Sequence, residues 1–102
     1  MTINVTNIIR DHPQITDSAI VAARQVVEAI QQNQFPITIS LQGVRGVPSS
    51  FFNALLFEIH QAAGLKHFQN NQIRFEFDAP SQEAIFNRSF KAFSESIASQ
   101  AS

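Results

Sequence analysis

Three short stretches of the chain alternate branched apolar and polar side chains, and each is followed by a segment of helical periodicity. A strand buries one face with a period of two and a helix buries a stripe with a period near 3.6, so the order of these patterns restricts the layers that can form. Residues 3–9, INVTNII, set Ile3 and Val5 against Asn4 and Thr6 and read as a strand. Pro13 breaks regular structure in the connection that follows. In 16–33, Ile20, Ala23, Val27 and Ile30 recur at helical spacing, and Thr16, Asp17 or Ser18 stands where a cap is needed. FPITISL (35–41) and QIRFEF (72–77) give two more alternating strands. A helix is expected from about Ser49 to Ala63, closed at Gly64 by a left-handed cap. A last helix, capped by Ser81, carries Phe86, Phe90, Phe93 and Ile97 as one stripe. The order is β-α-β-α-β-α, without the continuous apolar runs of a doubly wound sheet. It predicts a small two-layer α/β sandwich, with helices mainly on one sheet face and a more polar opposite face.

The length of 102 residues suits a single domain over 1–102, with its core at about 3–97 and a frayed C-terminal tail. Hydrophobic residues make up 44%, and the aromatic share is ten Phe with no Trp or Tyr, which favours dry packing. The seven Lys and Arg are scattered and the net charge is −1, so the basic stripe of a nucleic-acid binder is missing. Without cysteine there is no disulfide framework or thiolate metal site, and a reducing cytoplasm is the expected compartment. MTINVTNIIR reads as neither a basic leader nor a signal peptide, and no segment approaches the ~20 apolar residues of a membrane span.

The most distinctive stretch is GVRGVPSSFFNALLFEI, residues 43–59. Val47 precedes proline and is pushed toward extended geometry, so a helix begins only at or after Pro48. Ser49 is then the natural cap and Ser50 the alternative, with Asn53 a weak capping-box partner. Losing such a cap costs about 1 kcal/mol. Free N–H groups and the helix dipole also favour a phosphate on either serine. Along the helix, Phe52, Leu55, Leu56, Ile59 and Ala63 form the core stripe. Phe57 falls nearly opposite, beside Asn53, Ala54 and His60, with Phe51 at the edge of the stripe. Phe51, Ala54 and Phe57, rimmed by Asn53, His60 and Glu58, have the composition of an interface core. Arg45 suits a partner's carboxylate or phosphate, or stands as a solvated loop charge.

Catalytic and cofactor patterns are missing. His12, His60 and His67 lack metal-ligand spacing and read as surface or edge histidines. The serines lack the G-x-S-x-G elbow, and GVRG matches no nucleotide-binding loop. The sequence therefore predicts no enzyme, no cofactor and no metal.

ITISLQGVRGVPSSFFNALLFEI resembles the signature of STAS domains, the anti-sigma-factor-antagonist fold. LQGV (41–44) falls on the strand end of that signature, and Ser49-Ser50 on its serine pair. The stretch is even more similar to the STAS-like family of unknown function, in which Gly-Val, a short spacer and Ser precede an aromatic-led helix. The resemblance covers about residues 15–97. It implies a regulatory, signalling module of bacterial type whose partner is a protein, with Ser49 the phosphate acceptor for a GHKL-type ATP-binding anti-sigma or histidine-kinase-like protein. Pro48 stands where those domains carry an acidic residue, and Phe51 where they carry glycine. That shifts the implication from a phospho-switch toward an interaction module.

Two readings follow. The first is a non-enzymatic STAS-like module that binds its partner through 44–58, using Arg45, Phe51, Ala54, Phe57 and Glu58, with control by phosphorylation at Ser49 or Ser50. The second is a non-phosphorylated assembly subunit that oligomerises through its sheet. A homodimer is compatible with either, and neither involves nucleic acid or a membrane.

Overall fold

Ile3, Ile37, Ile39 and Ile73 are buried on one side of a parallel sheet, and they set the plane on which the helices pack. The computed structural model describes residues 1–101, with side chains to Ile97. The frayed tail expected beyond residue 97 lies outside these described side chains. The chain runs β1 (Thr2–Asn4), α1 (Val5–Asp11), α2 (Ile15–Gln31), β2 (Ile37–Ser40), α3 (Ser49–Ala63), α4 (Lys66–Gln69), β3 (Ile73–Glu76) and α5 (Pro80–Ala101). The result is a small α/β domain with a three-stranded sheet in the order β1-β2-β3, both pairings parallel.

The register aligns Ile3 with Ile39 and Phe75, and Ile37 with Ile73. The intervening rows are Thr2 with Thr38 and Arg74, and Asn4 with Ser40 and Glu76. Alternation thus separates an apolar face from a polar one, on which Thr2, Asn4, Arg74 and Glu76 are exposed. On the apolar side α3 packs between α2 and α5, and Phe51, Phe52, Leu55 and Ile59 join the isoleucines in the core.

The observed order departs from simple alternation by two short helices. Residues 5–9, expected to continue the first strand, open α1 instead. Val5, Ile8 and Ile9 turn inward at helical spacing, and β2 ends at Ser40, so a longer β1 would have no ladder to join. The Thr6 hydroxyl donates instead to the Gln42 carbonyl. The second addition, α4, sets Phe68 against Phe75, with ring centroids 6.2 Å apart.

Helix starts are the other correction. The N-cap of α2 is Gln14, and none of Thr16, Asp17 or Ser18 caps it. Ser18 lies buried inside the first turn, where its hydroxyl donates to the Ile15 carbonyl at 2.7 Å. The buried face of α2 is also rotated from the one expected. Ala19, Ala22, Ala23, Val26 and Ala29 form it, whereas Ile20, Val27 and Ile30 flank it half-buried. Small side chains at the contact let α2 approach α3 closely, and the larger ones close its margins. The helix α5 starts at Pro80, so Ser81 falls within its first turn rather than at its cap. Proline is at home there because its missing N–H has no helical partner to lose.

Both bounds of α3 match the sequence expectation. At its end Gly64 has φ +74° and ψ −176°, a region essentially reserved for glycine, and its N–H reaches the His60 carbonyl at 3.0 Å.

Candidate interaction surface

The loop from Gln42 to Pro48 joins the end of β2 to α3, and its geometry is fixed from three sides. The Val44 N–H donates to the Leu41 carbonyl at 3.0 Å, closing a turn in which Gly43 has φ +82°. A side chain there would be strained by that φ, and its Cβ would lie 3.4 Å from the Thr6 hydroxyl oxygen. Val44 and Val47 are buried and anchor the loop, leaving Arg45 exposed between them.

The third restraint comes from the corner between β3 and α5. The Gly43 N–H donates to Asp78 Oδ1 at 3.2 Å. Gln82 is buried, and its Nε2 donates to the Val44 carbonyl at 2.7 Å while its Oε1 accepts the Asp78 N–H at 2.8 Å. One amide therefore ties two loops together with both ends satisfied. A pocket of about 290 Å³ lies against this clamp, bounded by Arg45, Val47, Asp78, Ser81, Gln82 and Ile85. It sits at the carboxyl ends of β2 and β3. Among the described residues the strand order advances without reversing, so this sheet has no switch point of the kind at which open α/β sheets usually bind ligands.

The helix α3 begins one residue earlier than a serine cap allows. Its N-cap is Pro48, with φ −78° and ψ 161°, and the Pro48 carbonyl accepts the Phe51 N–H at 3.1 Å. Ser49 and Ser50 therefore occupy the first two helical positions, exposed, and neither makes a side-chain cap. The capping role expected of Ser49, or of Ser50 with Asn53, is thus overturned.

Beyond the serines, Asn53, Phe57 and Gln61 are exposed at four-residue spacing from Ser49 and form one line on the outer side of α3. Phe57 is 48% exposed, and the axial rise from Ser49 to Phe57 is about 12 Å. Ala54 and Glu58 are half-buried beside that line. Glu58 also borders a pocket of about 340 Å³ with Arg24 and Glu28 of α2.

Phe51 does not belong to this surface. It is fully buried, with its ring edge-on to Phe52 at 5.6 Å between centroids. Packing by α2 and α5 on both flanks of α3 widens the buried arc beyond a single stripe and takes in Phe51. Sequence reasoning missed the clamp residues Asp78 and Gln82, although Gln82 holds the third helical position, where a capping-box glutamine is expected.

The histidines lie apart. His12 caps the end of α1, the His60 ring meets Phe93 at 5.7 Å, and His67 Nδ1 lies 2.7 Å from Gln72 Oε1. Among the described residues, no group of three His, Cys, Asp or Glu side chains could hold a metal ion. Among the described residues, no helix is long and apolar enough to cross a membrane.

The fold defines a small α/β domain with a three-stranded parallel sheet. No family model, curated protein or solved structure matches the chain.

Proposed function

We propose that this domain is a STAS-like, non-enzymatic regulatory module of the cytoplasm. It binds a protein partner through the 43–48 loop and the outer side of α3. Arg45, Ser49, Ser50, Asn53 and Phe57 make the contact, with Ala54 and Glu58 at its margin. The observation that carries this reading is Phe57. Apart from Met1 it is the one large apolar side chain exposed among the described residues, and it lies on one helix line with the serine pair. An aromatic ring in a polar surround is a common anchor of protein interfaces. The clamp on the loop lowers the entropy lost when a partner immobilises it.

Control falls to Ser49. Its hydroxyl is not consumed in a cap, and it stands at the exposed, positive end of the α3 dipole. A phosphate there is stabilised by unpaired helix N–H groups and adds about −1.5 to −2 charges at the mouth of the interface. The partner class that fits is a GHKL-type ATP-binding protein of the anti-sigma or histidine-kinase-like kind, able both to bind the module and to phosphorylate it.

The test is affinity capture from the native host, with the recovered partner identified by mass spectrometry and the module weighed intact after incubation with ATP. Wild type and Ser49→Ala are expected to recover the same ATP-binding protein, and Ser49→Asp to lose it. Only wild type gains a phosphate. Recovery of one partner in equal amounts by Ser49→Ala and Ser49→Asp would remove the switch.

A further inference from the structure

The outer edge of β3 is unpaired among the described residues, since β3 ends the sheet order. The Ile37 N–H donates to the Gln72 carbonyl and the Leu41 N–H to the Glu76 carbonyl, both at 2.8 Å. A parallel ladder directs both backbone groups of alternate residues toward one neighbour. Gln72, Arg74 and Glu76 thus face β2, and the N–H and C=O groups of Ile73 and Phe75 point away from it. Such a row is a template for another strand. The opposite edge offers less, because β1 has three residues and Asn4 already serves as the N-cap of α1.

A groove of about 400 Å³ runs beside β3, with Phe68, Phe75, Phe77, Phe86 and Phe90 among its walls. All five rings are half-buried, and Phe75 and Phe86 approach to 4.4 Å between centroids. A cluster of large rings left partly open along one sheet edge has the composition of an interface.

The charges select the occupant. An antiparallel strand keeps apolar side chains on the apolar face only if odd-numbered positions oppose odd-numbered ones. Pairing two copies of β3 about Arg74 sets Arg74 against itself, and pairing about Glu76 sets Glu76 against itself. Like charges directly opposite are destabilising. Pairing about Phe75 sets Arg74 opposite Glu76 of the second copy, twice by symmetry, on the polar face. It also sets Phe75 against Phe75 on the apolar face, with the Ile73 side chain facing Phe77. Phe77 lies just past the end of β3 and its carbonyl already accepts from Gln42 Nε2 at 3.4 Å, so the ladder bonds centre on Phe75. Phe75 then forms a hydrogen-bonded pair with the backbone groups it already points outward. Arg74 and Glu76 fall in the closer, non-hydrogen-bonded pairs.

We infer that the domain forms a two-fold homodimer by antiparallel pairing of β3 with β3 of a second copy, centred on Phe75, giving one sheet continuous across both copies. This is the sheet-mediated assembly anticipated from the sequence, with an edge and a register. It uses a surface separate from the outer side of α3 and stands independently of the partner-binding reading.

Sedimentation of the full chain across a concentration series tests it, with wild type, Arg74→Glu, Glu76→Arg, the double charge swap and Phe57→Ser. Wild type is expected to sediment as a dimer at micromolar concentration. Each single reversal places like charges across the axis and raises the dissociation constant about tenfold or more. The double swap restores the dimer. Glu76 Oε1 accepts a hydrogen bond from Ser40 at 3.1 Å, so Arg74→Glu, which leaves that bond intact, is the cleaner single variant. Phe57→Ser is expected to leave the dimer unchanged. A wild type that stays monomeric at every concentration overturns the proposal and leaves the edge to a strand of another protein. So does a dimer that survives both single reversals, and so does one that Phe57→Ser abolishes.

Discussion

Phe51 and Phe57 are the same residue type on one helix, and the fold places one inside and the other half in water. Truncating Phe51 to Ala opens a cavity in the core and is expected to cost about 3–5 kcal/mol in urea unfolding. Phe57→Ser removes exposed apolar surface and is expected to leave the melting temperature nearly unchanged. Ser49 behaves differently from a cap. Since it holds the first helical position without a side-chain cap, Ser49→Ala should change stability by a few tenths of a kcal/mol rather than by the full ~1 kcal/mol of a lost cap. Gln82 is where a polar side chain matters most to the loop. Gln82→Ala strands the Val44 carbonyl and the Asp78 N–H and is expected to cost about 1–3 kcal/mol. Amide exchange at residues 43–47 should quicken in the same variant, because that clamp holds the loop shut.

At the scale of elements, what was legible followed from the strength of the local signal. Both bounds of α3 could be read because Val47-Pro48 forbids an earlier start and Gly64 supplies the positive φ that ends it. The strands β2 and β3 were legible because Ile37, Ile39, Ile73 and Phe75 alternate against polar neighbours. By contrast α1 was hidden, since Ile3 and Val5 alternate as in a strand while Val5, Ile8 and Ile9 also fit a helical stripe, and over so short a window only the end of β2 decides between them. The serine caps failed for a related reason. A preference for Ser at a cap is worth about 1 kcal/mol, and the extended backbone of Pro48 made that residue the N-cap, leaving Ser49 already helical. The face of α2 was misread because hydrophobic size pointed to Ile20, Val27 and Ile30, whereas close approach to α3 selected the alanines. Ala22→Leu is accordingly expected to destabilise the domain by about 1–3 kcal/mol through overpacking, measured by its urea midpoint.

The whole molecule has a Cα radius of gyration of 12.8 Å, close to the ~13 Å of a compact domain of this length. It presents two separate surfaces, the outer side of α3 with its clamped loop and the open edge of β3. The first was visible in the sequence through the serine pair and the outward Phe57, although the burial of Phe51 narrows it. The second was visible only as a general capacity of the sheet. Its register depends on which backbone groups point outward, and a one-dimensional pattern does not carry that. If the α3 surface binds the partner as proposed, the affinity of Phe57→Ser for the protein that wild type captures tests it most directly. Titration calorimetry and the melting temperature are to be taken on the same preparation. The expected result is a loss of tenfold or more, about 1.4 kcal/mol, with the melting temperature unchanged. Wild-type affinity in the folded Phe57→Ser variant would mean that the partner docks elsewhere than on the outer side of α3.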